Sequence, residues 1–177
     1  DHPASAFMQA HQRGNSALVQ EVVEGARGAK NILELYAGSG NFTLPLARAE
    51  KGREVLALEY EQAAVQRLNE AARSQQLRVT AQSQMITALP EGPFDHIILD
   101  PPRAGAATII EALATSQAQT ITYISCHPAA LARDLEALSR QGWKVEKCRL
   151  YHLFPHSGHI EVYCRLTRIE SAIKTLS

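Results

Sequence analysis

The tightest constraint on the fold is an alternation that recurs along the chain: a short apolar run, a turn, then residues at helical spacing. Asn31 to Tyr36 (NILELY) leads through Gly38 and Gly40 to a helical pattern from Phe42. Glu54 to Tyr60 (EVLALEY) precedes EQAAVQRLNEAARSQQ, where Ala64, Leu68 and Ala72 share one helical face. Leu77 to Gln82 (LRVTAQ) is a weaker strand. Phe94 to Asp100 (FDHIILD) stops at Pro101-Pro102, which neither a helix interior nor a central strand accepts. Thr120 to Ser125 (TITYIS) runs into PAALARDLEALSR, with Pro128 in the first helical turn. Strands alternating with helices predict a parallel sheet covered on both faces. VEKCRLYHLF and HIEVYCRLTR, with no helix between them, predict an antiparallel pair at one edge, and residues 15–29 a leading helix. The fold class is an open, mostly parallel α/β sheet, whose ligands belong beyond the carboxyl ends of its strands.

A length of 177 residues suits one domain, residues 1–177, large enough to bury a core. No segment approaches the roughly 18 consecutive apolar residues of a membrane span, and no charged-then-apolar leader is present. The chain begins at Asp1 rather than Met, so it is expected to be a piece of a longer protein. Its 18 basic and 18 acidic residues balance, which counts against gripping nucleic acid by charge alone. Cys126, Cys148 and Cys164 are odd in number and lack paired spacing. They argue against a disulfide framework or a four-cysteine zinc site, and for a reducing cytoplasmic setting. Cys148 and Cys164 alternate with polar neighbours and read as ordinary buried thiols.

ELYAGSGNFTLPLA sets two glycines directly after the first strand, where a ligand can approach the main chain closely. A nicotinamide fingerprint would need a third glycine at position 43, where Thr43 stands, so the loop suits a cofactor without a pyrophosphate. Glu59 closes the second strand nineteen residues beyond Gly40, the distance at which an acid can accept hydrogen bonds from two ribose hydroxyls. Asp100 ends the fourth strand and is expected to face the same crevice, with two prolines stiffening the loop after it.

Taken together, these pieces resemble the class I, Rossmann-like S-adenosylmethionine-dependent methyltransferases. DPPR, ISCHPAALARDL and LFPHSGHIE, in that order, narrow the resemblance to the RNA uracil-C5 methyltransferases, over about Phe7 to Arg168. That resemblance implies S-adenosyl-L-methionine as cofactor, tRNA or rRNA as partner, and a monomer working without a membrane. It implies no metal in this chain; an iron–sulfur cluster would belong only to a region N-terminal to it.

The resemblance also assigns roles. Cys126 occupies the place of the family's nucleophile, which adds to carbon 6 of uracil and turns the ring into an enolate nucleophilic at carbon 5. Its position before the helix at Pro128 is expected to favour the thiolate. Glu161 matches the family's proton acceptor. On a strand it shares a face with Tyr163 and Arg165, opposite an apolar set of Ile160, Val162, Cys164 and Leu166, leaving it free to reach a crevice. Gln9 in FMQAHQRGN matches a cofactor-contacting glutamine, and Tyr36 and Asn41 match positions around the glycine loop. His11 and His127 stand where the family usually has Asn, and Gln84 and Met85 where it often offers Asn or Asp near the adenine. His152, His156 and His159 lack the spacing of a zinc site on a helix face and read as shaping the active-site loop or contacting RNA. Two other readings stand beside uracil methylation: transfer to an exocyclic base amine, which needs no thiol, and a noncatalytic binding module. A cytosine-C5 enzyme would commonly carry a cysteine in the DPPR region, and none is there.

Overall fold

A seven-stranded sheet in the order β3-β2-β1-β4-β5-β7-β6 organises the chain. The computed structural model describes residues 3–152 and 160–169, with side chains from residue 14 onward. In chain order the elements are α1 (Pro3–Gly25), β1 (Asn31–Leu35), α2 (Thr43–Ala49), β2 (Glu54–Glu59), α3 (Gln62–Ser74) and β3 (Val79–Ser83). They continue with β4 (His96–Leu99), a short 3-10 turn into α4 (Ile110–Thr115), β5 (Thr120–Ser125), α5 (Pro128–Ser139), β6 (Trp143–His152) and β7 (Ile160–Arg168). β1 to β5 run parallel, while β7 pairs antiparallel with both β5 and β6. This is the open α/β architecture that the alternation predicts, antiparallel pair included.

The chain leaves β1 toward β2 and β3, then returns to lay β4 and β5 on β1's other side. The strand order therefore reverses between β1 and β4, the place where open α/β sheets form a ligand crevice. Apolar side chains cover both faces. Leu33, Leu35, Ile97, Leu99, Ile121 and Tyr123 pack with α4 and α5. On the opposite face Ile32, Ile98, Ile124 and Tyr163 pack with Leu18 and Val22 of α1 and Leu46 of α2.

Several details differ from the sequence reading. The leading helix begins at Pro3, not residue 15. α4 fills the connection between β4 and β5, a helix that the alternation of runs above does not include. β7 is not half solvated: Tyr163, on Glu161's side, is as buried as Leu166 on the other, because α1 covers that face. α1 sits so close there that a Cβ at Gly25 would lie 2.4 Å from the Tyr163 hydroxyl oxygen.

Two polar clamps fix these layers. The Arg53 side chain is fully buried, and its guanidinium donates to the carbonyls of Ala26, Ala29 and Leu46 at 2.6–2.9 Å and to Glu50 at 2.7 Å. It thereby ties carbonyls beyond α1 and within α2 to one side chain. Glu21 of α1 accepts from Lys147 Nζ (2.5 Å), Arg149 Nη1 (2.9 Å) and the Tyr151 hydroxyl (3.0 Å), tying the helix to β6. Burial pushes the Glu21 carboxyl up, but those hydrogen bonds and positive charges outweigh it and leave the pKa below the usual carboxylate range. A register shift between Val145 and Lys147 bulges β6, and Glu146 within it pairs with Arg165.

Candidate active site

Antiparallel register brings the predicted nucleophile and base together. β5 and β7 pair Ile124 with Tyr163 and Ser125 with Val162. Cys126 follows Ser125 and Glu161 precedes Val162, so both lie at the end of that paired stretch. β4, on the other side of β5, delivers Asp100 to the same end, since Leu99 pairs with Tyr123. The three groups are near enough for their charges to couple: Glu161 and Asp100 both act on the Cys126 thiol, and Glu161 acts on Asp100.

Cys126 sits at the apex of a fastened turn. The His127 backbone N–H donates to Ser125 Oγ at 3.1 Å, and that hydroxyl donates back to the His127 carbonyl at 3.3 Å. The sulfur is neither sealed in nor fully exposed. His127 then caps α5, its Nδ1 accepting from the Ala130 backbone N–H at 3.2 Å, with Pro128 in the first turn. An asparagine oxygen at the N-cap can accept the same hydrogen bond, so histidine and asparagine are interchangeable as caps at this position.

The expected lowering of the thiol pKa is not what the site produces. Burial pushes the Cys126 thiol above its ordinary value, as do the carboxylates of Glu161 and Asp100; a backbone hydrogen bond and Arg103 offset this only in part. Those acids are themselves perturbed. Asp100 is solvent-accessible but set in a concavity, where crowding protein atoms and Glu161 push its pKa up to about 7. Burial raises Glu161, whose Oε2 has no hydrogen-bond partner among the described residues.

The glycine loop forms the other wall. Tyr36, directly after β1, holds φ at 62°, a left-handed backbone that a non-glycine residue adopts at a cost and that clusters at functional sites. Gly38 (φ 53°) faces open space where a Cβ would meet nothing within 4 Å. Gly40 (φ 96°) instead presses on α3, since a Cβ there would lie 2.5 Å from Leu68 Cδ1. Glu59 Oε2 accepts from the Gly38 N–H at 2.8 Å, and Oε1 from the N–H groups of Tyr60 and Glu61 at 2.7 and 2.9 Å. The carboxylate is thus fixed in place with a lone pair left on Oε2. Asn41 exchanges two amide hydrogen bonds with Asn15 of α1, at 2.9 and 3.1 Å, which docks that helix against the loop. The side chains of Gln9 and His11, and the residues His156 and His159, lie outside the described set. Among the described residues no three His, Cys, Asp or Glu side chains gather as a metal site, and no helix is long and apolar enough to cross a membrane.

Sequence reasoning passed over four contributors. Glu34, buried on β1, faces α2; burial and the Asp100 charge push its pKa up to about 8, and Thr43 relieves this only in part. Neither its Oε2 nor Thr43 Oγ1 completes a well-formed hydrogen bond. Its signal was an acid in an otherwise apolar strand. Tyr60 is exposed beside Glu59, as Met85 is beyond β3, so two large side chains rim the crevice. Arg103, in DPPR, is the one cation named among the groups acting on Cys126. Asp134 of α5 braces the loop that carries Arg103. Its Oδ2 accepts from the Tyr123 hydroxyl (2.6 Å) and the Ala106 N–H (2.7 Å), and its Oδ1 from Arg133 Nε (2.9 Å) and Nη2 (2.7 Å). That arrangement spans three separate stretches of chain, so no local pattern announces it.

Fold and site together define a Rossmann-like methyltransferase domain. Residues 78–169 match the tRNA (Uracil-5-)-methyltransferase family, and residues 5–123 the Methyltransferase small domain. The chain belongs to the tRNA (uracil-5-)-methyltransferase family. It is 39% identical over 167 residues to the 23S rRNA (uracil(1939)-C(5))-methyltransferase RlmD of Chromohalobacter salexigens, covering 92% of this chain and 35% of that protein. The RlmD of Dichelobacter nodosus is 37% identical, with 92% and 40% covered. The chain thus spans little more than a third of the length of these relatives. Among solved structures, the Pyrococcus abyssi tRNA (uracil-54, C5)-methyltransferase in complex with S-adenosyl-L-homocysteine superposes with a TM-score of 0.78 at 27% identity, over 86% of this chain and 38% of that one. A Synechocystis magnesium protoporphyrin IX methyltransferase (TM-score 0.70, 16% identity, 90% of this chain and 80% of that one) shares the fold alone.

Proposed function

We propose that residues 1–177 form the catalytic domain of an RNA methyltransferase that transfers a methyl group from S-adenosylmethionine to carbon 5 of a uridine. The observation that carries this reading is that Cys126, Glu161 and Asp100 gather at one end of the sheet, just beyond the Ser125–Val162 and Leu99–Tyr123 pairs, close enough for both carboxyls to act on the thiol. The residues fit the cofactor. Gly38 leaves open space at the crevice, Glu59 Oε2 keeps a free lone pair, and Glu34 keeps an unpartnered carboxyl oxygen on the strand before the loop. Tyr36, Gly38, Gly40, Asn41, Glu59 and Asp100, with Gln9 from α1, are the residues proposed to hold it. When bound, it supplies an electrophilic methyl group on a sulfonium.

The chain's own part is nucleophilic and acid–base. Cys126 Sγ, having lost its proton, bonds to carbon 6 of the uracil, and the ring's π electrons move onto the carbon 4 oxygen and carbon 5. After carbon 5 gains the methyl group, Glu161 accepts the proton remaining on that carbon. The electron pair released re-forms the 5,6 double bond and expels the thiolate. Burial raises the Glu161 carboxyl above its ordinary value, which makes its carboxylate a stronger proton acceptor. The target base must leave its stack to enter the crevice. With a formal charge of zero on this chain, affinity for RNA is assigned largely to the remainder of a longer protein.

The test is incubation with S-adenosylmethionine and RNA containing 5-fluorouridine. Fluorine at carbon 5 cannot depart as a proton, so a covalent protein–RNA adduct is expected, and Cys126→Ala abolishes it. An adduct of equal yield in Cys126→Ala would remove Cys126 from the mechanism. Methylation of an exocyclic amine without any adduct would replace the uracil reading. Glu161→Gln is expected to accumulate protein bound to methylated RNA; normal release would reject its role as base.

A further inference from the structure

We infer that Cys148 and Cys164 form a reversible cross-strand disulfide, a thiol-modification site separate from Cys126. The two residues are direct partners in the β6–β7 register, and their sulfurs lie 3.0 Å apart. Opposed residues of an antiparallel pair hold their Cβ atoms at about 4.5–5.5 Å. A disulfide needs about 3.5–4.5 Å, so closure asks for a small local movement. β6 is an edge strand bonded to a neighbour on one side only, and can supply it. Cys148 is exposed, against the expectation of a buried thiol, because no helix covers that stretch of the edge strand. Cys164 is fully buried, packed with Val162, Leu166 and Trp143. An oxidant therefore meets Cys148 first, while burial and the neighbouring sulfur keep Cys164 protonated as the resolving thiol.

Hydrogen peroxide serves as the oxidant. The Cys148 sulfur attacks one peroxide oxygen, the O–O bond breaks, and a sulfenic acid and one water result. The Cys164 sulfur then attacks the Cys148 sulfur. The S–O bond breaks, and the hydroxyl leaves with the Cys164 proton as a second water. Two thiols are oxidised by two electrons, and one peroxide is reduced to two waters. A dithiol reductant reverses the bond by exchange. The disulfide staples the edge strand to the strand that carries Glu161, so the base of the proposed site would be carried on a covalently closed hairpin.

The experiment treats the 177-residue chain with one equivalent of peroxide, then applies thiol titration, peptide mapping and a thermal scan. Free thiols are expected to fall from three to one, leaving Cys126, with a linked peptide joining positions 148 and 164. The unfolding midpoint rises by several degrees, as expected for closing a loop of this length. Dithiothreitol restores all three thiols and the original midpoint, and Cys148→Ser, an exposed and structurally mild change, loses the whole response. The inference is overturned if Cys148 proceeds to sulfinic acid while Cys164 stays free, if the linked peptide contains Cys126, or if no thiol is lost. None of these readouts depends on methyl transfer, so their failure leaves the proposed function untouched.

Discussion

Asp134 offers a sharp test of how the site is held. It is 1% exposed and takes four hydrogen bonds, two from donors that have no other route to water. In Asp134→Ala the Tyr123 hydroxyl and the Ala106 N–H are left buried and unpaired, at about 1–3 kcal/mol each. Arg133 is half exposed, so its lost ion pair adds less than about 1 kcal/mol. The expected loss is therefore about 3–5 kcal/mol, a large share of the roughly 5–15 kcal/mol that holds a domain folded. Urea unfolding followed by the single, fully buried Trp143 measures it directly. Tyr123→Phe removes one donor and leaves Asp134 with three, so it is expected to cost about 1 kcal/mol. In the double variant no hydroxyl is stranded, and the two losses should fall short of additivity by about 1–2 kcal/mol. An Asp134→Ala protein within about 0.5 kcal/mol of wild type, or strictly additive losses, would show that the loop at residues 101–106 is held by something other than this carboxylate.

Three further outcomes follow from the same coordinates. Arg53→Lys keeps a charge but cannot span the carbonyls of Ala26, Ala29 and Leu46, and should destabilise by about 2–4 kcal/mol in urea; a loss below about 1 kcal/mol would show that the fork is dispensable. His127→Asn should retain the α5 cap within about 0.5 kcal/mol, whereas His127→Ala should lose about 1 kcal/mol, and equal stabilities would deny the cap. Glu34 is pushed up to about 8 when folded against an ordinary value near 4.5, so the folded state holds its proton over that interval. Its presence makes stability fall as pH rises from about 4.5 toward 8; Glu34→Gln should flatten that slope, and an unchanged slope in urea midpoints against pH would refute the neutral buried acid.

What the sequence made legible was whatever is local or periodic. Apolar runs ending in glycine, acid or proline located the parallel strands, and the residues at their ends became the crevice, because strand ends at a topological switch point have nowhere else to go. What it left hidden depends on three-dimensional neighbours. The thiol is raised first by burial and then by Glu161 and Asp100, each distant in sequence, and adjacency to a helix start reveals none of the three. The far face of β7 looked solvated because the helix that covers it lies more than a hundred residues upstream. Asp134, Arg53 and Glu21 each gather donors or acceptors from several elements, and a one-dimensional pattern carries no mark of that.

β6 has a consequence beyond the site. Ten residues of backbone along one outer margin present a ready template for a second sheet, with Val145 and Leu150 exposed on it. Lys144, Glu146, Lys147 and Arg149 set like and unlike charges along that margin, and the kink at Glu146 breaks its flatness. A neighbouring molecule would have to bury those charges to continue the ladder, which disfavours fibril growth from this side. Replacing the Glu146 carboxylate with an apolar side chain would strip a guard from the margin, so solubility, rather than catalysis, is where that change would first be felt.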